Sequence, residues 1–128
     1  ASDVYKRQTK DNKVIVNELA PRPHNSGHYT IEACSFDQFD AHIRGIAGWP
    51  LEQPQLLKPA VMVNVLGQHV APTRALIADH PEWNVHDYCK AEVRHDRKMG
   101  HITVLTDDTA KTVADLEATG CWDDLKKA

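Results

Sequence analysis

The sequence predicts an α+β chain in two parts, and three observations carry that prediction. Apolar runs of strand type alternate with amphipathic stretches, in the order strand, helix, strand, helix, strand, strand, helix. A proline-containing linker at residues 51–59 sets the first strand and helix apart from the rest. A chain of 128 residues has room for one domain, or for one domain and the tail of another. The first part is therefore read as the tail of one domain, and the second as a small α+β domain.

Residues 1–8, ASDVYKRQ, differ in character from the rest of the chain and resemble a translated adaptor sequence. A non-native segment is expected there. Asp11, Asn12 and Lys13 read as a hairpin turn, since Asx side chains tolerate turn geometry. Residues 14–17 form a short apolar strand. Pro21 and Pro23 stop regular structure, so residues 20–27 are loop, and a short helix is expected over 28–34. Ser35 and Gln38 have the spacing of a capping box. Phe36, Phe39, Ile43 and Ile46 then recur at helical spacing, an apolar stripe expected to be core. Asp40 and Arg44 sit one turn apart and can pair. Gly48 and Pro50 end this helix.

Residues 60–66, AVMVNVL, read as a buried strand closed by Gly67. A short helix over 72–78 starts with Pro72, which the first turn tolerates. Residues 83–89 and 101–105 read as two more strands. Asp107 or Asp108 caps a last helix over 109–118, which Gly120 ends. Trp49, Trp83 and Trp122 are expected to pack in the core or along the linker.

Composition narrows the function. Hydrophobic residues make up 41% and charged residues 26%, which is enough for a core. The net charge of −3 offers no basic field for nucleic acid. The one basic cluster, Arg94, His95, Arg97, Lys98 and His101, is broken by Asp96 and suits a small anion better than a polyanion. The three cysteines are scattered and odd in number, which fits a reduced, cytoplasmic protein. No apolar run is long enough for a membrane span. The histidines and cysteines lack the close spacing of a zinc site.

Two runs carry chemistry. In NELAPRPHNSGHYTIEA, Asn17 and Glu18 end a strand and open into a polar loop with Arg22, His24, Asn25, Ser26 and His28. Magnesium takes one or two carboxylates plus nucleotide phosphate oxygens, so Glu18 is a candidate ligand and Asn17 a candidate amide contact. Arg22 has the charge and planar donors to steady a carboxylate or phosphoryl group. His24, Asn25 and His28 can line the same pocket. In YCKAEVRHDRKMGHITV, a strand brings Lys90 to a loop with Arg97, a cationic cradle for a small anion.

Together the two runs resemble the 5-(carboxyamino)imidazole ribonucleotide synthase family, ATP-grasp ligases of purine biosynthesis. The resemblance covers nearly everything from Thr9 to about Thr109. It implies the C-terminal part of an ATP-grasp domain over residues 9–55 and a small C-terminal α+β domain over 56–128, with 1–8 matching nothing in the family pattern. It also implies ATP and Mg2+ as cofactors, with Asn17 and Glu18 in the nucleotide site and Glu18 as the metal ligand. Arg22 is implied as catalytic. His24, Asn25, Lys90 and Arg97 are implied as substrate contacts, the last two keeping the family's seven-residue separation. The substrates implied are 5-aminoimidazole ribonucleotide and bicarbonate, with a homodimer expected of the full-length protein.

Two departures stand out. Ala20 replaces an asparagine that many members of the wider superfamily carry. His95 and Asp96 replace the family's Pro-Gly within Arg-Pro-Gly-Arg-Lys-Met-Gly-His. The family places a nucleotide-fold domain and most of the ATP-grasp domain upstream, together with another magnesium carboxylate just before Thr9. The 128-residue chain alone is thus expected not to make product, and an exposed edge beside residues 14–17 is expected to favour self-association. The rival expectation is a non-catalytic module that binds a small phosphorylated ligand through Lys90 and Arg97.

Overall fold

The computed structural model describes residues 3–8, 11 and 13–123. The chain forms two compact units, Ala1–Leu56 and Leu57–Ala128. In the first, β1 (Asp3–Gln8) and β2 (Val14–Ala20) pair as an antiparallel hairpin. Asp11 sits in the predicted turn, and Asn12 lies outside the described residues. Strand β2 continues past the predicted end at Asn17 to Ala20. Its register shifts: Lys6 faces Val16 but Tyr5 faces Glu18, so Asn17 is the extra residue of a bulge.

A short 3-10 turn, Asn25–Gly27, leads to α1 (Thr30–Ala33) and then α2 (Gln38–Ala47). The predicted Asp40–Arg44 pair is present, with Arg44 Nε 3.0 Å from both carboxylate oxygens. Helix α2 stops at Gly48, as its sequence predicts.

Two expectations for this helix are corrected. Its cap is Asp37, whose Oδ1 accepts from the backbone N–H groups of Phe39 and Asp40 at 2.7 and 2.8 Å. Ser35 lies too far upstream to reach the first turn. Its Oγ instead accepts from Gln55 N at 3.0 Å, and Ser35 N donates to Gln55 O, beside a bridge between Cys34 and Leu56. The linker is thereby stitched back onto its own unit. The apolar stripe is also not core: Phe39, Ile43 and Ile46 are 42%, 59% and 73% exposed. Amphipathic spacing marks a face that favours a cover, and the His28 ring, stacked on Phe39, covers only part of it. Trp49, expected in core or linker packing, is likewise exposed.

The second unit is a three-stranded antiparallel sheet in the order β3 (Ala60–Leu66), β5 (Lys98–Leu105), β4 (Asn84–Asp87). Helix α3 (Val70–Leu76) follows β3, and α4 (Thr109–Ala118) follows β5. Central β5 pairs with both neighbours, so Ile102 and Thr103 are fully buried. Val65, Trp83, Ile102, Val104, Leu116 and Trp122 build the core. Trp122 meets Trp83 edge-on at 6.1 Å and donates its indole N–H to Asn64 O at 3.0 Å. A buried indole needs such a partner.

Most bounds match the sequence reading. Helix α3 starts two residues early, at Val70, which keeps Pro72 in its first turn. Of the two candidate caps for α4, Asp108 is the one used, accepting from Lys111 N at 2.9 Å. The larger difference is β5, which starts at Lys98 rather than His101. Basic charge and glycine make Lys98–Met99–Gly100 look like loop, yet pairing on both edges buries Met99 and His101. No helix among the described residues is long and apolar enough to cross a membrane.

Candidate functional site

The first cluster is the loop after β2. Asn17 and Glu18 are described at the backbone only, and the bulge at Asn17 sits directly beside Glu18. Bulges of this kind interrupt the strict alternation of a strand and are frequent next to active sites. Beyond Ala20, Arg22 is exposed, with Nη1 donating to Pro23 O at 3.2 Å. Together with Tyr29, Thr30, Phe36, Asp37 and Gln38 it lines an open cavity of about 560 Å³.

The loop is held by Gln38. Its Oε1 accepts from His24 N at 2.8 Å, while Nε2 donates to His24 O at 2.9 Å and reaches His28 Nδ1 at 2.7 Å. The His28 ring also stacks on Phe39, with centroids 5.6 Å apart. His24 Nδ1 lies 2.7 Å from Ser26 Oγ and accepts from Ser26 N, which closes the turn on itself. Asn25 Oδ1 is buried and has no hydrogen-bond partner among the described residues. Gly27 allows the close approach: a Cβ there would collide with Gln38 Oε1.

The second cluster spans the turn between β4 and β5. Lys90 lines a cavity of about 130 Å³ with Thr73, Arg74, His86, Asp87 and Met99. Its Nζ donates to Lys98 O and sits 5.5 Å from the centre of the Tyr88 ring, a cation–π contact. Tyr88 Oη in turn lies 2.9 Å from Nδ1 of buried His101, which stacks on His86 at 4.4 Å. Burial pushes the Tyr88 phenol above its ordinary pKa. Arg97 is not among the residues lining the cavity; its Nη1 donates to Glu92 O at 3.2 Å. The turn thus carries both expected cations, Lys90 at the cavity and Arg97 bound back to the turn.

The His95-Asp96 departure keeps the turn that Pro-Gly favours. Arg97 N donates to Arg94 O at 3.1 Å, and Asp96 takes a left-handed φ of 58°, which Asp tolerates better than most residues. Gln68 then clamps Asp96, accepting from its N–H and donating to its carboxylate, each at 2.9 Å. Gly67 makes the docking possible, because a Cβ there would overlap Arg94 O.

Of the residues expected at the site, Arg22, His24 and Asn25 lie in the first unit, and Lys90 and Arg97 in the second. Sequence reasoning missed the supports, Gln38 and Gln68. Gln38 was visible only as the last residue of a capping-box spacing, and its true partners are 10 and 14 positions away. Among the described residues, no cluster of three or more His, Cys, Asp or Glu is placed to hold a metal.

Comparison with known proteins finds matches to both parts of the chain. Residues 6–39 match the ATP-grasp domain, and residues 60–115 match the phosphoribosylaminoimidazole carboxylase C-terminal domain. The N5-carboxyaminoimidazole ribonucleotide synthase of Staphylococcus saprophyticus is 55% identical over 104 residues, covering 80% of this chain and 28% of that protein. The enzyme of the same name from Staphylococcus aureus is 51% identical over 109 residues, covering 84% and 29%. The crystal structure of N5-carboxyaminoimidazole synthetase from Staphylococcus aureus complexed with ADP superposes with a TM-score of 0.86 at 48% identity, over 92% of this chain and 32% of that one. The Aspergillus clavatus N5-carboxyaminoimidazole synthase, in complex with ADP and 5-aminoimidazole ribonucleotide, gives 0.80 at 32% identity, over 92% and 33%. The chain spans 28–29% of the length of these curated relatives. It belongs to the N5-carboxyaminoimidazole ribonucleotide synthase family, of which it carries the end of the ATP-grasp domain and the C-terminal domain.

Proposed function

We propose that this chain is part of an enzyme that carboxylates 5-aminoimidazole ribonucleotide on its exocyclic amine, using ATP and bicarbonate. The observation that carries this reading is the turn between β4 and β5. It presents Lys90 at a cavity and holds Arg97 on the same clamped loop. Lys90 and Arg97 supply two cations on one loop, the charge that suits a ribotide phosphate.

The chemistry asks the enzyme to hold several anions. Bicarbonate oxygen takes the γ-phosphoryl group of ATP, giving carboxyphosphate and ADP. The exocyclic amine then attacks the carboxyl carbon; the N–C bond forms, the C–O bond to phosphate breaks, and the amine loses a proton. Arg22 stabilises the carboxyphosphate charge, and His24 and Asn25 orient the ribotide from the same loop. Glu18 and Asn17 offer the hard carboxylate and amide that suit a nucleotide-bound magnesium. When bound, that ion neutralises charge on the phosphates. The bulge beside Glu18 supports placing the nucleotide contact there.

The same reading assigns residues 9–55 to the ATP-grasp domain and residues 56–128 to the C-terminal domain. It also makes the enzyme cytoplasmic and, at full length, a homodimer. Titration of the isotope-labelled chain with 5-aminoimidazole ribonucleotide tests the binding half. Saturable NMR shifts at Lys90 and Arg97 are expected, lost in Lys90→Met. An unchanged spectrum across the 88–98 turn at millimolar ligand would sink the assignment.

A further inference from the structure

Gln38 and His28 have no role in the proposed carboxylation, yet their hydrogen bonds leave little freedom. A backbone N–H can only donate, so the Gln38 atom 2.8 Å from His24 N must be the amide oxygen. That fixes the orientation of the amide. Its NH2 group then faces His24 O at 2.9 Å and His28 Nδ1 at 2.7 Å. A carbonyl can only accept, which agrees. The second amide proton meets Nδ1, so Nδ1 must carry a lone pair, and the neutral imidazole must carry its proton on Nε2. The ring cannot turn to escape, because its face lies on Phe39 at an interplanar angle of 18°.

We propose that Gln38 is a positioning residue that holds His24 by both backbone groups and locks His28 as the Nε2–H tautomer. With its Nδ1 lone pair engaged by Gln38, neutral His28 does not serve as a general base through that nitrogen. This rests on the proposed reading that the His24–His28 turn serves the substrate. Gly27 is part of the device, since any side chain there would strike the Gln38 amide oxygen.

The test reads the imidazole nitrogens of His28 by 15N NMR at neutral pH in the 128-residue chain. In the wild type, Nδ1 is expected in the unprotonated range and Nε2 in the protonated range. In Gln38→Glu, which keeps an acceptor for His24 N but removes both donors, the proton is expected to move onto Nδ1. A wild-type proton on Nδ1 overturns the proposal, and so does a folded Gln38→Glu variant whose Nδ1 stays bare. If that variant fails to fold, Gln38→Met supplies the second reading: faster hydrogen exchange at His24 N is expected, and unchanged exchange counts against the clamp. Addition of 5-aminoimidazole ribonucleotide separates the two claims. A locked tautomer with no response at His24 or His28 defeats the substrate reading and leaves the tautomer lock standing.

Discussion

Asp96 shows how a single side chain keeps a loop that glycine would form at less cost. Its left-handed φ of 58° is strained for most residues, and Gln68 holds both its N–H and its carboxylate. Asp96→Ala keeps the strained Cβ and loses the Gln68 hydrogen bond to the carboxylate, so it is expected to destabilise by about 0.5–1.5 kcal/mol. Asp96→Gly loses the same bond but relieves about 1–2 kcal/mol of strain and stays closer to wild type. Urea denaturation of the two variants checks the difference, and equal losses would mean that backbone strain is not the issue. At Gly27 the constraint is steric. Gly27→Ala is expected to cost about 1–3 kcal/mol by breaking the hydrogen bonds of the Gln38 clamp. Unchanged exchange protection at His24 N in that variant would contradict the clamp. At the second cluster, Lys90→Met is expected to weaken ribotide binding by about 1.5–3 kcal/mol, the worth of hydrogen bonds to a charged group.

Helix α2 separates what spacing can reveal from what it cannot. Its extent and its ion pair were legible, because the 3.6-residue repeat and the Asp40–Arg44 offset are local. Its cap was not, since Ser35 and Asp37 are both good capping residues and only the entry path of the chain decides between them. Asp37→Ala is expected to cost about 1 kcal/mol in denaturant melts, whereas Ser35→Ala acts on the linker strap and leaves the helix cap intact. Equal effects on α2 amide exchange would return the cap to Ser35. Strand β5 was read short for a related reason: glycine and clustered charge signal loop, and pairing with two neighbours overrides them. A residue packed against this strand carries a pH dependence. Tyr88, held against His101, has its phenol pKa raised by burial. Below the unfolded value of about 10, both states keep the proton and the stabilisation is complete. As pH rises above that value towards the folded one, the unfolded phenol ionises first, so stability falls. The denaturation midpoint is expected to drop more steeply above pH 10 in wild type than in Tyr88→Phe, and parallel profiles would contradict it.

At the scale of the whole chain, Ile43, Ile46, Trp49, Leu56 and Leu57 lie exposed. An apolar display of this kind favours association. Analytical ultracentrifugation of the chain is expected to show concentration-dependent self-association that Ile43→Glu with Ile46→Glu relieves. The family was legible because its two motif runs are specific strings, whereas the supports of the site were not. Gln38 reaches His24 across 14 positions and Gln68 reaches Asp96 across 28, and a single sequence does not reveal such pairings. The central claim is that these residues form the C-terminal part of a working carboxylating synthase. The most direct test replaces the matching 104-residue stretch of the Staphylococcus saprophyticus relative with the corresponding residues of this chain and assays product from ATP, bicarbonate and 5-aminoimidazole ribonucleotide. The account expects turnover by the chimera, with a KM for the ribotide raised at least about tenfold in its Lys90→Met version. A folded chimera without activity, or one indifferent to Lys90→Met, would contradict it.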